Sequence, residues 1–174
     1  YIDIVPNLDA QAEFNMVRPF TYTHSENVNY THYNQPLAHP LGANFYEFIL
    51  NVRYQPIPRL SLNAKLLVAK VGTDTLRTGI PTNYGGDIFR STGTGGSLVT
   101  QDLNNKLAQG ARGTLSYFQL LTSYQAWHNI YFDLELLYRA KSTFKSSRNP
   151  IIGESSFIFS VGARMNIPYK RYEF

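Results

Sequence analysis

Along most of the chain, apolar and polar residues alternate with a period of two. In residues 46–55, YEFILNVRYQ, the even positions hold Tyr46, Phe48, Leu50, Val52 and Tyr54, and the odd positions Glu47, Ile49, Asn51, Arg53 and Gln55. Successive side chains of a strand point to opposite faces, so this run predicts a strand with one apolar, aromatic face and one mostly polar face. After PIP at 56–58 the pattern resumes, with Leu60, Leu62, Ala64, Leu66 and Val68 set against Arg59, Ser61, Asn63 and Lys65. Folding the two runs about position 57 pairs Tyr54 with Leu60, Val52 with Leu62 and Leu50 with Ala64, which collects the apolar residues on one hairpin face. Pro56 and Pro58 then fall in the turn, where a missing ladder donor matters least.

The same alternation recurs in NIYFDLELLYRAK (129–141), in SFIFSVGARMNI (156–167), in residues 8–23 with Arg18 as a break, and less cleanly in 112–125. Seven strands follow: 1–5, 8–23, 45–56, 59–72, 111–125, 129–142 and 155–168. Their connections alternate in length. Short turns lie near 6–7, 57–58 and 126–128, and long loops at 24–44, 73–110 and 143–154. Short turns at one end and long loops at the other describe the strand connectivity of an outer-membrane barrel.

Composition sharpens this reading. Only 16 % of residues are charged, while 14 % are aromatic, including 13 Tyr, 11 Phe and one Trp; a typical soluble domain carries about 25 % charge. No apolar run approaches the roughly 18 residues of a spanning helix. The chain has no cysteine, which excludes disulfides and thiolate metal sites. The net charge of +4 is scattered, without the clustered basic surface of a nucleic-acid binder.

A soluble sandwich or lipocalin-like barrel also alternates. Three features favour a bilayer. The polar face carries Glu47, Arg53, Lys65, Asp133, Glu135 and Arg139, while the other face is aromatic and nearly uncharged. Aromatics gather at strand ends: Tyr54, Tyr124 and Trp127 at the short-turn end, Tyr46, Tyr138 and Phe157 towards the long loops. Tyr46 to Tyr54 spans about 27 Å at ~3.3 Å per residue, or about 20 Å at a tilt of roughly 40°, near the ~25 Å apolar band of such barrels. The chain also ends in Phe174, as outer-membrane barrels commonly do. Single-chain bacterial barrels have an even strand number, at least eight. Seven strands, the first very short, are therefore expected to be the C-terminal strands of a larger antiparallel transmembrane β-barrel, in a Gram-negative outer membrane with lipid as its main partner.

The long loop NYTHYNQPLAHPLGANF (29–45) holds the densest candidate chemistry. Tyr30, His32, Tyr33, Asn34 and His39 form a candidate external ligand site, the tyrosines and asparagine for stacking on and hydrogen-bonding a sugar. His24, His32 and His39 are the only basis for a metal site; they lack a helical H-x-x-x-H spacing, and no carboxylate lies between His32 and His39. The plain structural alternative is a stiff loop packed by its own aromatics, with Gly42 and Asn44 turning the chain into the next strand. RPFTYTHSENVNYTHYNQPLAHPLGANFYEF, and above all YTHYNQPLAHPLGANF, resembles a segment of the Wzi-like capsule-assembly and RemB-type gliding-motility outer-membrane barrels. The resemblance implies a non-enzymatic surface protein that binds or organises extracellular polysaccharide or supports motility, with other outer-membrane or motility proteins as candidate partners. It implies no catalytic residue and no cofactor.

Elsewhere, GGDIFRSTGTGG lacks the order of a phosphate-binding P-loop. Asp133 and Glu135 point to one side of their strand, as paired carboxylates of a glycosidase would. Arg139 and Lys141 share that side, which favours a charge network lining a lumen. A channel or transporter for small solutes is the alternative function, and an enzyme the one least supported.

Overall fold

Three two-residue turns organise the main sheet. Pro6–Asn7, Pro58–Arg59 and His128–Asn129 each close a hairpin, and each hairpin carries a register shift beside its turn, between Asp3 and Val5, Tyr54 and Ile57, and Gln125 and Trp127. Asn7 and Asn129 take left-handed backbone angles (φ 63° and 64°), which asparagine tolerates better than other side-chain-bearing residues. The turns are stitched to the neighbouring hairpins: the carbonyls of Asn7, Arg59 and Asn129 accept the backbone N–H groups of Gln55, Gln125 and Asn166 at 2.8–2.9 Å.

The computed structural model describes residues 2–23, 29–33, 35–77, 80–90, 98–99, 104–143 and 152–166. In chain order its strands are β1 (Ile2–Val5), β2 (Leu8–Val17), β3 (Thr31–His32), β4 (Gln35–Pro36), β5 (Phe45–Ile57), β6 (Leu60–Thr73), β7 (Thr75–Arg77), β8 (Ile80–Asn83), β9 (Leu98–Val99), β10 (Ala111–Trp127), β11 (Ile130–Thr143) and β12 (Ile152–Met165). Seven of them form one sheet in the order β1-β2-β5-β6-β10-β11-β12, antiparallel throughout. The sheet is open, with β1 and β12 at its edges. Two small sheets, β3–β4 and β7–β8–β9, lie in the long connections. The protein is therefore all-β among the described residues, with the seven expected strands in sequential order.

Two expectations are corrected. The second strand stops at Val17 rather than running to 23. Pro19 offers no N–H to a ladder, and Phe20 adopts a left-handed backbone (φ 62°) while its N–H reaches the Gly85 carbonyl at 3.2 Å. The β5–β6 register is also two residues from the expected one: Tyr54 faces Leu62, Val52 faces Ala64 and Leu50 faces Leu66. The turn sits on Pro58–Arg59 instead of at 57, and Pro56 occupies the irregularity before it, where no donor is required. Because a shift of two preserves the face, the apolar side remains intact. The last strand begins at Ile152, and the expected residues 167–168 lie outside the described residues.

Reading across the register, rows of apolar residues run over one face. One row is Ala12–Leu50–Leu66–Phe118–Tyr138–Phe157, and the next is Ala10–Val52–Ala64–Leu120–Leu136–Phe159. Tyr138 and Phe157 thus share the row of Leu50, four residues along the strands from the row of Tyr46. They do not stand beside Tyr46 as a straight aromatic row. The opposite face carries Gln11–Asn51–Lys65–Gln119 and Asp9–Arg53–Asn63–Leu121–Glu135.

Among the described residues, no second layer covers the apolar face. Away from the turns, every exposed large apolar side chain in the sheet lies on the apolar face, edge residue Ile158 excepted; Phe14, Phe157, Phe159 and Val161 are among the most open, at 58–69 %. The buried core sits instead at the long-loop end: Ala43, Phe45, Ala69, Ile88, Ala108 and Ala111. Asn44 is its hub. It is fully buried and left-handed (φ 62°). Its Nδ2 donates to the carbonyls of Gly72 (3.0 Å), Gln109 (2.9 Å) and, more weakly, Tyr84 (3.4 Å), while its Oδ1 accepts the Gln109 N–H at 3.0 Å. Gly72 must be glycine here, since a Cβ would lie 2.1 Å from the Gln109 carbonyl oxygen. These bonds clamp the two long connections onto the ends of β5, β6 and β10.

Candidate functional site

The Asn44 clamp turns the preceding segment back over the polar face. The turn at His39–Gly42 is closed by Gly42 N–H to the His39 carbonyl (2.9 Å), and Gly42 takes φ 73°. His39 Nδ1 accepts the Leu41 N–H at 3.2 Å, which leaves the ring proton on Nε2 to donate to Glu47 Oε1 at 2.8 Å. Asn15 Nδ2 donates to the same carboxylate oxygen at 2.9 Å, and the His39 ring packs 4.5 Å from Phe45. Glu47, 2 % exposed, is thereby buried with its charge hydrogen-bonded.

Beneath His39–Leu41 the polar face opens into a hollow of about 750 Å³. Ile49, Leu67, Leu115 and Tyr117 contribute its apolar surface, and Lys65, Arg139, Lys141 and Glu154 its charges. Tyr117 donates its hydroxyl to Gln119 Oε1 at 2.9 Å. A smaller hollow of about 300 Å³ continues along the same face beside Asp9, Arg53 and Lys65.

The six charged residues expected to line a lumen all lie on this polar face, but they do not pair with one another. Glu47 is engaged by His39 and Asn15, and Glu135 accepts from Gln119 Nε2. Asp133 accepts from Ser123 Oγ (2.6 Å) and Arg164 Nε (2.7 Å), and Arg164 also lies over the Tyr131 ring. Arg139 Nε donates to Ser156 Oγ at 2.7 Å. Among the described residues, Arg53, Lys65, Arg139 and Lys141 have no carboxylate within ion-pair distance.

The external candidates divide into two groups. Tyr30, His32 and Tyr33 come together on the small β3–β4 hairpin, whose tip includes Tyr33 in a left-handed conformation (φ 48°). Tyr30 stacks on Tyr22 (5.8 Å between centroids), and His32 meets Tyr33 edge-on at 4.2 Å. Tyr30 is 56 % and Tyr33 89 % exposed, so both rings offer faces to solvent. Asn34 lies outside the described residues, as does His24. His39 leaves this group and points into the polar-face hollow. No cluster of three metal-ligating side chains occurs among the described residues.

Sequence reasoning missed Asn15 as a partner of Glu47, Gln109 as the partner of Asn44, and Tyr117 as the aromatic of the hollow. Asn15 stands out only once Asn15 and Glu47 are known to face each other in register. The Asn44–Gln109 contact spans 65 residues and left no local signal.

No protein-family profile, curated protein or solved structure matches the chain.

Proposed function

We propose that this sheet is part of the wall of an outer-membrane β-barrel, closed through further strands at its β1 and β12 edges, that binds or organises surface polysaccharide without catalysing a reaction. Capsule assembly and gliding motility are the roles that the resemblance of residues 29–45 suggests. The observation that carries the reading is the uncovered apolar face. Fully burying one Phe or Leu side chain is worth about 1.5–3 kcal/mol, and rows of such residues stand here with no protein layer over them among the described residues. Acyl chains on that side and water on the other satisfy both faces, because every strand in the sheet interior pairs its backbone on both sides. The exposed tyrosines of the β3–β4 hairpin supply flat amphipathic surfaces of the kind that sugars stack on.

The chain contains no native cysteine, so single spin labels at Leu50, Phe132 and Phe159 report cleanly. In vesicles they are expected to be open to oxygen dissolved in lipid and closed to an aqueous nickel chelate, with the opposite result at Asn51. Aqueous exposure at all four positions overturns the membrane reading. Tyr30→Ala with Tyr33→Ala is expected to lower polysaccharide retention on cells; unchanged retention and motility would remove the hairpin from the function. A second reading, a channel for small solutes, draws on the two hollows along the polar face, and a closed conductance trace of the full-length protein in planar bilayers would exclude it.

A further inference from the structure

We infer that the hollow beneath His39–Leu41 binds an acidic sugar unit, a hexuronate. This rests on the polysaccharide-binding reading and adds to it the class of sugar and a second place, on the polar face, where it is held.

Charge points to an anion. Lys65, Arg139 and Lys141 line the hollow, and none has a carboxylate within ion-pair distance among the described residues. Of the two acids there, Glu47 is already engaged by His39 and Asn15 and almost wholly buried. Glu154 faces Lys141 in the register without pairing to it. Arg139 spends its Nε–H on Ser156. Its two terminal nitrogens remain, the geometry that receives a carboxylate in two parallel hydrogen bonds.

Shape points to a sugar rather than a bare anion. The cations surround Tyr117, Leu115, Leu67 and Ile49, an apolar floor that an inorganic anion cannot use. Lys65 stands in the row of Gln119, Arg139 in the row of Tyr117 and Lys141 in that of Leu115. With strands ~4.8 Å apart and a rise of ~3.3 Å per residue, Lys65 and Arg139 lie roughly 12 Å apart at their Cα atoms. Both side chains line the hollow whose floor includes Tyr117. A pyranose ring laid on that floor sets its carboxylate against Arg139 and Lys141, with Lys65 left for a neighbouring acidic unit. A neutral sugar meets the floor but leaves the cations unanswered.

The test titrates the full-length protein in lipid nanodiscs with tetragalacturonate and with galactotetraose, its neutral counterpart. The acidic oligomer is expected to bind at least about tenfold tighter at low ionic strength, and the difference to shrink as salt screens exposed charges. Lys65→Met and Lys141→Met are each expected to weaken it by up to about fivefold, the range of a solvent-exposed ion pair. Glu154→Gln is expected to tighten it, a gain that misfolding cannot produce. Equal binding of the two oligomers overturns the inference, as does acidic binding untouched by both lysine variants and by Glu154→Gln. If Tyr30→Ala with Tyr33→Ala abolishes binding of both sugars while the lysine variants change nothing, the hollow is overturned and the external hairpin stands. If wild-type protein binds neither oligomer, the hollow is likewise overturned, and the polysaccharide reading is then decided by retention on cells.

Discussion

An arginine placed at Leu50 distinguishes a bilayer from water as the solvent of the apolar face. Leu50 lies midway between Tyr46 and Tyr54 on β5, with Ala12 and Leu66 opposite it on the flanking strands and, among the described residues, no protein layer over it. The two tyrosines are separated by about 27 Å along the strand, so a tilt of roughly 40° places Leu50 about 10 Å from either end of the apolar band. A guanidinium there cannot reach water with its own side chain alone, and the expected cost is about 2–4 kcal/mol, falling to ~0–1 kcal/mol for Tyr46→Arg and Tyr54→Arg. In water the same change at an uncovered position would stay within about 0.5 kcal/mol. The gap corresponds to roughly tenfold or more in the folding equilibrium. The assay is reversible guanidinium unfolding in lipid vesicles, read from the fluorescence of Trp127, which is 68 % exposed at the short-turn end. Arginine at 46, 48, 50, 52 and 54 should trace a profile peaked at 50, while Asn51→Arg on the opposite face should cost little. A flat profile, or equal costs on the two faces, would refute the assignment of the apolar face to lipid.

Three further outcomes follow from the long-loop end. Asn44→Ala loses the acceptor of the half-buried Gln109 N–H and forces alanine into a left-handed backbone, a combined cost of about 2–4 kcal/mol; limited proteolysis should then cut within 84–110 before the sheet opens, and unchanged resistance would count against the clamp. Nitrogen-15 spectra of His39 should show the proton on Nε2, bonded to Glu47, with a bare Nδ1; the opposite tautomer would contradict the turn geometry. Burial pushes the Asp74 carboxyl above its ordinary range, against the lowering effects of the Tyr84 N–H and Arg90. The folded chain therefore holds this proton more tightly than the unfolded chain. Relative to Asp74→Asn, wild-type stability should be greatest below the usual aspartate range and decline as pH rises through the raised folded value; unfolding midpoints measured against pH would disprove this if the difference grew with pH.

Much of the sheet was legible without coordinates because a strand's period is short and local. The alternation of Tyr46, Phe48, Leu50, Val52 and Tyr54 with polar partners requires one apolar face whatever the strand pairs with, and paired prolines and asparagines mark where the chain turns back. The candidate residues of the loop were legible only as a composition. Tyr30, His32 and Tyr33 share a hairpin because they are neighbours in sequence, whereas His39 lies close by in the chain and still points elsewhere. Its direction is set by Glu47, Leu41 and the Asn44 clamp.

The amino-acid sequence by itself determined the number of main strands, their order and which side chains share a face, since those depend on a two-residue repeat and on local turn chemistry. Only the tertiary structure decided the register at Pro56, the early end of β2 at Pro19, and the separation of the polar-face charges into individual hydrogen bonds. It also decided the gathering of Lys65, Tyr117, Arg139 and Lys141 into one hollow. Each of these rests on how paired segments align and pack, where a shift of two residues or one left-handed backbone angle moves side chains by several ångströms without altering the pattern of apolar and polar positions.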